Sequence, residues 1–465
     1  MLMVDKKSKA SLHTQLYEQI KTGILNGTIQ PGARLQSSRK ASEDLGVSRN
    51  TVEMAYDRLF SEGFITSKPR KGYYAEAFIP DAFHESRLAA IPETGGSANQ
   101  SLQYDFHCGK LLLSELPCGQ WQRLTGRCFN DYRESLIRQG SVFGEAGLRA
   151  QIQRYLHDYR NVHCMDAQIV VGAGTQFCLG IACQILKAEA CGLSAAMEEP
   201  GYDQSRLTLQ NNGFQVLPVG LDKYGLDADA LDATAAKAVY VTPSHQFPAG
   251  IVMPMSRREK IAEWAARRNA FIIEDDYNCH FQHDQKPIPS IQSICEDRVI
   301  HIGSFSDLLF PCVRVSYMVV PLNLLKELHK RFAHYAPFVP FLVQKPLELF
   351  IGEGHLESLI RKAKKRQRQK RDALVEALKN EFGGSAGISG QQAGLHVLVR
   401  PNWQITEDEL IRRAAQAGVG VYPASGYRSR PENSESGTVL LNYGGIPLEY
   451  IPEAVALLRR AWREK

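Results

Sequence analysis

The sequence has no long hydrophobic run: no stretch approaches the roughly 20 consecutive apolar residues that span a bilayer. Its start, MLMVDKKSKA, has no apolar core of the length that a secretory signal peptide needs. The ten cysteines include no C-x-x-C pair, and neither they nor the histidines show the spacing of metal ligands. We therefore expect a cytosolic protein with reduced thiols, no bound metal and no membrane partner.

Positive charge is concentrated near the N-terminus. The 465 residues have a formal net charge of +5, and residues 1–79 contain 12 Lys or Arg against 8 Asp or Glu. A small basic module joined to a nearly neutral remainder suggests a polyanion as the partner of the N-terminal module. A chance excess of a few charges is the alternative at this point.

The N-terminal module is predicted to contain three helices and a hairpin. Apolar residues recur every four positions in SLHTQLYEQIKTGILNG, which is one face of a helix. A second helix is predicted in SSRKASEDLG, capped by Ser37 or Ser38, and a third in SRNTVEMAYDRLFSEG, capped by Ser48. FITSKPRKGYYA indicates two short strands around a basic turn. This order is that of a helix-turn-helix followed by a wing.

The start of the third helix is suited to DNA. Its first-turn side chains can reach phosphates or base edges, and the positive end of the helix dipole favours a phosphate there. A three-helix adaptor with an exposed polar turn is the alternative. The residues predicted to contact DNA are Ser38, Arg39, Ser48, Arg49, Asn50, Thr51, Arg70 and Lys71.

RLQSSRKASEDLGVSRNTVEMAYDRLFSEGFI resembles the winged helix of GntR-type transcription factors, and the resemblance covers residues 11–75. It implies contacts with a double-stranded DNA operator by Arg39, Arg49, Thr51 and the wing. One departure concerns Glu53, which occupies a position that is often basic or neutral in the family. If Glu53 faced DNA it would repel phosphate.

Beyond the module, residues 77–103 mix Pro, Gly, Ser and acids without periodicity, as a flexible linker does. Helices and short apolar strands such as KAVYVTPSH, AFIIEDDYN and RVIHIGSFS then alternate. This alternation predicts an α/β fold with a mostly parallel central sheet and ligands at the carboxyl ends of the strands. The predicted domains are 1–76, a linker at 77–103, and 104–465.

Polar residues follow several of these strands. The segment VGAGTQ opens a helix with free backbone N–H groups suited to a phosphate. Tyr202 lies in a turn where its ring could stack on a flat ligand, and Asp275 is suited to pair with a protonated ring nitrogen. In HIGSFSDLLFPCVR, two serines and Arg314 form an apparent phosphate site that also contains an acid, Asp307.

These features, with TPSHQFPAG at 242–250, resemble a fold-type-I aminotransferase, the architecture of enzymes that use pyridoxal phosphate. Joined to the GntR-like module, they resemble the MocR/GabR group of regulators. The resemblance implies large and small domains and a homodimer with sites built across two subunits. The residues that it assigns to the cofactor are Gly174, Thr175, Gln176, Tyr202, Asp275, Tyr277, Ser304, Ser306, Asp307 and Arg314.

Within this set, the resemblance implies that Tyr202 stacks on the pyridine ring, Asp275 meets the ring nitrogen and Tyr277 lies near the ring oxygen. Relatives also have an arginine that grips the carboxylate of an effector. That position is Gly426 here, although a one-residue slip in alignment would allow Arg428 to substitute. The phosphate cup is assigned to Thr175, Gln176, Ser304, Ser306 and Arg314.

In the family, a lysine that forms a Schiff base with pyridoxal phosphate stands where this chain has Asp307. A carboxylate cannot form that bond, so the resemblance implies a catalytically inactive domain. A transcription regulator is therefore expected, with an aminotransferase bearing an added DNA-binding domain as the alternative. Pyridoxal or pyridoxamine phosphate, if bound, would be held without a covalent bond.

Asp307 also bears on the choice of ligand. A carboxylate gains a charge-assisted hydrogen bond from an ammonium group and nothing from an aldehyde. The pocket is therefore expected to favour a small phosphorylated amine. A vestigial pocket that binds no ligand and serves only the dimer is the alternative.

Overall fold

The computed structural model describes residues 2–5, 8, 10–69, 71–77, 102–188, 193–284, 287–429 and 437–463. The chain divides into two compact units, Met1–Asn99, called the head below, and Gln100–Lys465, called the body. Of the predicted linker at 77–103, only residues 77, 102 and 103 lie among those described.

The head has the predicted three helices and hairpin. The strands pair antiparallel, with Lys68 opposite Gly72. Tyr17 and Ile20 of the first helix pack against Val52 and Tyr56 of the third in one small core. The elements are α1 (Leu12–Leu25), α2 (Ser38–Leu45), α3 (Arg49–Ser61), β1 (Ile65–Lys68) and β2 (Gly72–Ala75).

Capping residues fix the ends of the helix-turn-helix. The Ser37 side chain accepts a hydrogen bond from the Lys40 backbone N–H, which identifies Ser37 as the cap of α2. Gly46 ends that helix with φ of +62°, a left-handed conformation that glycine adopts without steric cost. The predicted cap of α3 is confirmed, because Ser48 accepts from the Thr51 N–H at 3.1 Å.

The body contains most of the elements. Its helices are α4 (Cys118–Asp131), α5 (Ala146–Arg160), α6 (Thr175–Ala188), α7 (Asp203–Asn211), α8 (Ala228–Asp232), α9 (Met255–Arg268), α10 (Leu325–Phe332), α11 (Phe341–Gly352), α12 (His355–Phe382), α13 (Glu407–Gln416) and α14 (Ile451–Arg463). Its first strands are β3 (Tyr104–Asp105), β4 (Ile169–Gly172), β5 (Ser194–Glu199), β6 (Gln215–Asp222), β7 (Gly225–Leu226), β8 (Ala238–Val241), β9 (Phe271–Asp275), β10 (Val299–Ser304) and β11 (Ser316–Val319). The remaining strands are β12 (Ala386–Ser389), β13 (His396–Pro401), β14 (Val419–Gly420), β15 (Tyr422–Pro423) and β16 (Val439–Asn442).

An eight-stranded sheet organises the body, in the order β4-β11-β10-β9-β8-β5-β6-β7. Only β11 and β7 run against their neighbours, so the sheet is mostly parallel, as predicted. Ile302 of β10 lies in the core on the face that α6 covers, whereas Val299 of the same strand packs with Trp264 of α9. Because most strands run parallel, the polar side chains at their carboxyl ends meet at one edge of the sheet.

A second, antiparallel sheet in the order β12-β13-β16-β15 forms the smaller part of the body, and it packs with α12, α13 and α14 in a further core. The short strands β3 and β14 pair in parallel, which joins the start of the body to this smaller part. Among the described helices, none combines the length and the apolar character needed to cross a bilayer.

Candidate functional site

The predicted DNA-contacting residues that the structure describes lie in α2, in α3 with its cap Ser48, and in the hairpin turn. Ser38 and Thr51 are half-buried, and Arg70 lies outside the described residues. Lys71 follows Lys68 in the hairpin turn, where its backbone N–H donates to the Lys68 carbonyl. The exposed members of the set are Arg39, Ser48, Arg49, Asn50 and Lys71.

Two acids already bind three of these predicted contacts. Glu53 accepts a hydrogen bond from Arg49 Nε at 2.7 Å and another from Ser38 Oγ at 3.2 Å. Glu43 pairs with Arg39 Nε at 3.2 Å. Exposed pairs at this helical spacing contribute only about 0.3–0.5 kcal/mol each, so a phosphate can displace them. Glu53 would therefore affect DNA binding in a second way besides repelling phosphate: it occupies Arg49, which is a predicted DNA contact.

A cavity of about 390 Å³ opens in the body. Gly174 does not line the cavity but lies next to Arg314, which does. A Cβ added at Gly174 would stand 2.5 Å from the Arg314 guanidinium. The other predicted cofactor residues all line the cavity: Thr175, Gln176, Tyr202, Asp275, Tyr277, Ser304, Ser306, Asp307 and Arg314.

One end of the cavity has the groups that a phosphate requires. The helix α6 begins there at Thr175, directly after Gly174, whose φ is +107°. Arg314 has φ of +49°, a left-handed conformation that costs a non-glycine residue about 1–2 kcal/mol. Ser306 Oγ is buried and has no hydrogen-bond partner among the described residues. A strained arginine, a helix N-terminus and an unpaired hydroxyl fit a bound phosphate.

Asp275 has the geometry expected of a partner for a ring nitrogen. It is the last residue of β9, and its Oδ2 accepts a hydrogen bond from Tyr240 Oη at 2.5 Å. Tyr240 Oη in turn accepts a hydrogen bond from Ser205 Oγ at 2.9 Å. Its Oδ1 is buried without a hydrogen-bond partner among the described residues. Burial raises the pKa of Asp275 to about 7, and the neighbouring charges of Asp276 and Asp307 act in the same direction. A protonated ring nitrogen would satisfy the unpaired oxygen.

Aromatic rings and an amide surround the position where a flat ligand would lie. Tyr202 Oη donates to Gln204 Oε1 at 2.8 Å, and the same oxygen accepts from Gln176 Nε2 at 2.6 Å. Phe247 packs edge-on against Tyr202, with 5.6 Å between ring centroids. The sequence analysis missed Gln204 and Phe247, because neither stands directly at a strand end.

Asp307 lies half-buried in the cavity wall, in a loop anchored by the buried Phe305 and Leu308. Burial raises the pKa of Asp307 to about 6, against the effect of the nearby Arg314 cation. Burial likewise raises the pKa of Cys108, also in the wall, to about 12; Asn442 opposes this shift and the Asp307 charge adds to it. Sequence reasoning had no local signal for Cys108 or Asn442.

The candidate carboxylate-binding residues lie elsewhere. Arg428 lines a separate groove together with Arg400 and Glu407. Gly426 is exposed and has no atoms within 4 Å of where a Cβ would stand. Gly426 has no side chain that could bind a carboxylate, and Arg428 is not among the described residues that line the cavity.

The described residues contain no group of three or more His, Cys, Asp or Glu side chains that could hold a metal ion. The cavity offers a cationic and helical end for an anion, a carboxylate for a ring nitrogen, and a second carboxylate, Asp307.

Comparison with known proteins covers both units. Residues 12–74 match the family of bacterial regulatory proteins called gntR, and residues 134–445 match the aminotransferase class I and II family. The chain is 36% identical over 455 residues to the uncharacterized HTH-type transcriptional regulator YdeL of Bacillus subtilis strain 168, covering 97% of each protein. It is 30% identical over 482 residues to the probable rhizopine catabolism regulatory protein MocR of Rhizobium meliloti, covering 99% and 96%.

A solved structure resembles the body. It is LysN, an α-aminoadipate aminotransferase from Thermus thermophilus complexed with N-(5′-phosphopyridoxyl)-L-leucine. The TM-score is 0.67 at 22% identity, covering 77% of this chain and 91% of LysN. At this identity the match supports the fold.

Proposed function

Because the chain belongs to the MocR/GabR group of GntR-type transcription regulators, we propose that its aminotransferase-like domain is catalytically inactive and senses a phosphorylated amine. The head would bind a double-stranded operator, and two heads in a homodimer would bind two half-sites. The observation that carries this proposal is the carboxylate of Asp307 in the same cavity as Asp275, Ser306 and Arg314.

The surface of the head supports operator binding. Arg49 and Asn50 are exposed in the first turn of α3, and Lys71 is exposed in the hairpin turn. The proposed DNA contacts are those predicted from the sequence, with the weak pairs of Glu43 and Glu53 exchanged for phosphate oxygens. Such contacts release counterions, so the logarithm of operator affinity should fall linearly with the logarithm of the salt concentration.

The chemistry of Asp307 argues against transamination. That reaction needs an amine that attaches the cofactor covalently and moves a proton, and a carboxylate cannot provide the attachment. Lys110, which also lines the cavity, pairs with Asp105 and lies in the segment after β3, away from the position after β10 where the family has its Schiff-base lysine. Lys286, the nearest lysine that follows Asp275 in sequence, lies outside the described residues.

The residues present fit a pyridoxal-type cofactor held without a covalent bond. When bound, such a cofactor supplies a flat ring, a phosphate and, in its aminated form, a primary amine. Arg314, Ser306 and the start of α6 would hold the phosphate, Asp275 would accept a hydrogen bond from the ring nitrogen, and Tyr202 would cover the ring. The unpaired oxygens of Ser306 and Asp275 are the support for this assignment.

Asp307 would select the aminated form. A charge-assisted hydrogen bond contributes about 1.5–3 kcal/mol, so pyridoxamine phosphate should bind roughly 10- to 100-fold more tightly than pyridoxal phosphate. Isothermal calorimetry on the full chain with both compounds tests this preference. Asp307→Asn should reduce it to less than about 3-fold, whereas Asp229→Asn, an exposed acid on α8, should leave it unchanged.

Covalent trapping tests the inactivity. After incubation with pyridoxal phosphate and borohydride, peptide mapping of the wild-type chain should show no phosphopyridoxyl group beyond those on exposed lysines, whereas Asp307→Lys should carry one at position 307. A wild-type chain that traps the cofactor and transfers amino groups between substrates would overturn the proposal. Equal binding of both compounds would remove only the amine preference.

A further inference from the structure

Carboxyl groups outnumber free cations in the described cavity wall. Asp203, Asp275 and Asp307 line it, and Asp203 Oδ1, like Asp275 Oδ1, is buried without a hydrogen-bond partner among the described residues. Arg314 and Lys110 are the lining cations of the described wall. If Arg314 holds a phosphate and Lys110 stays with Asp105, the three aspartates are the other Asp, Glu, Lys or Arg side chains that the described part of this chain contributes to the wall.

Part of the remaining wall is aromatic, and polar groups such as those of Asn442, Thr242 and Cys108 line another part. Phe247 contacts Tyr427 edge-on at 4.6 Å between ring centroids and His396 at 5.2 Å. Burial lowers the pKa of His396 to about 4, so this imidazole is neutral at physiological pH, and it hydrogen-bonds the Pro248 carbonyl through Nε2. Leu395 lines the same region. The rings of Phe247 and Tyr427 suit a hydrocarbon group, and the described wall contains no Lys or Arg besides Lys110 and Arg314 that could pair with a carboxylate.

We propose that the ligand class of this cavity is a phosphorylated pyridine ring carrying a protonated amine whose nitrogen substituent has no carboxylate. The proposal rests on the ligand-sensing function proposed above and narrows it. An amine beside Asp307 gains a charge-assisted hydrogen bond, and a hydrocarbon substituent packs on Phe247 and Tyr427. A carboxylate one carbon from that amine would stand within a few ångströms of Asp307, where like charges repel.

This selectivity excludes conjugates with amino acids and admits conjugates with the corresponding decarboxylated amines. Two stable compounds differ in that one group. N-(5′-phosphopyridoxyl)-L-leucine carries the carboxylate, and N-(5′-phosphopyridoxyl)-3-methylbutylamine has the same carbon skeleton without it. Pyridoxamine phosphate, which has no substituent on its amine, is the reference.

Calorimetry at pH 8 with these three compounds and the full-length wild-type chain tests the proposal without any variant. The methylbutylamine conjugate should bind at least as tightly as pyridoxamine phosphate and at least about 10-fold more tightly than the leucine conjugate. Asp307→Asn should narrow that ratio to about 3-fold or less, and Asp229→Asn should preserve it.

The outcomes separate this inference from the function on which it rests. If the leucine conjugate binds as tightly as the methylbutylamine conjugate while pyridoxamine phosphate also binds, the carboxylate exclusion is overturned and ligand sensing stands. If none of the three compounds binds, both proposals are overturned. A circular-dichroism melt of Asp307→Asn establishes that its binding values come from folded protein.

Discussion

Acidic side chains are used in opposite ways in the head and in the cavity of the body. On the head, Glu43 and Glu53 are exposed to solvent at least in part and are paired with arginines at helical spacing. In the cavity, Asp203 and Asp275 each keep one buried oxygen without a partner among the described residues. The head therefore has weak pairs to exchange, whereas the cavity has acceptors still to be satisfied.

The two arrangements have different energetic consequences. Exposed ion pairs contribute at most about 1 kcal/mol, so DNA phosphate can replace the acid at little cost. The unpaired buried carboxylate of Asp275 destabilises the folded chain by the free energy of its desolvation, and burial raises its pKa. A bound ligand that hydrogen-bonds such an oxygen removes this destabilisation. The unpaired oxygens of the cavity therefore indicate a binding site more strongly than the paired acids of the head do.

The largest effect is expected at the cationic end of the cavity. Arg314→Gln should weaken binding of pyridoxamine phosphate at least about 100-fold, because two charge-assisted hydrogen bonds contribute about 1.5–3 kcal/mol each. Arg428→Gln, in the separate groove, is the matched control and should leave the calorimetric affinity unchanged. A loss of less than about 3-fold for Arg314→Gln would mean that the phosphate is held elsewhere.

Asp275 should make folding stability depend on pH in a direction unusual for an aspartate. Its folded pKa of about 7 exceeds the unfolded value near 3.8, so the folded state binds more protons between these values. The free energy of unfolding contributed by this group therefore falls as pH rises from about 4 through 7.

Asp275→Asn should remove the fall in the free energy of unfolding that Asp275 causes as pH rises. At pH 8 the ligand-free variant should be about 2 kcal/mol more stable than wild type, within an upper bound of about 4 kcal/mol set by the pKa shift, and at pH 4 the difference should vanish. Urea denaturation at both pH values measures the change. A variant that is less stable at pH 8 would show that the carboxylate is satisfied in the folded chain.

A smaller effect, on operator affinity, is expected from removing the charge of Glu53 that pairs with Arg49 on α3. Glu53→Gln should strengthen operator binding about 5-fold at 0.1 M salt, because Arg49 and Ser38 are released to phosphate and one negative charge is lost. Glu18→Gln, an exposed acid on α1, removes the same charge and serves as control in fluorescence anisotropy. If both variants gain equally, net charge explains the effect and the pairing does not.

The smallest effect is expected at the hairpin turn. Lys71→Ala should weaken binding about 2- to 3-fold on every DNA sequence and lower the slope of log affinity against log salt by about one. Titrations at several salt concentrations on operator and unrelated DNA measure both quantities. A loss confined to the operator would instead indicate that Lys71 reads a base edge.

The sequence predicted those features that depend on neighbouring residues. The helices of the head follow from apolar periodicity and the Ser48 cap, and the strands ending at Asp275 and Ser304 follow from short apolar runs with polar ends. Their predicted roles toward a cofactor stay predictions. Local patterns of this kind carry the information because hydrogen bonding and burial act over a few residues.

The remaining features depend on contacts between distant segments. Tyr240, inside a buried strand, gave no sign that its hydroxyl would bind Asp275, and Cys108 reaches the cavity from the segment after β3. Glu53 was considered only in relation to DNA, whereas it also binds Ser38 on the preceding helix. The sequence left Arg428 open as a candidate, because a one-residue slip in alignment would bring it to the family's arginine position. The structure places it in the separate groove.

The hydrogen-bonded series Ser205–Tyr240–Asp275 connects the cavity to a helix on the surface of the sheet. Ser205 lies on α7, and the next residue, Arg206, donates through Nη2 to the Tyr427 carbonyl at 2.6 Å, so the series ends at the segment leading to the smaller sheet. The strand end at Asp275 is therefore connected through Tyr240 to α7, and α7 is connected through Arg206 to the segment before β16. The two sheets of the body thus share a hydrogen-bonded connection that begins at the residue that would face a bound ring.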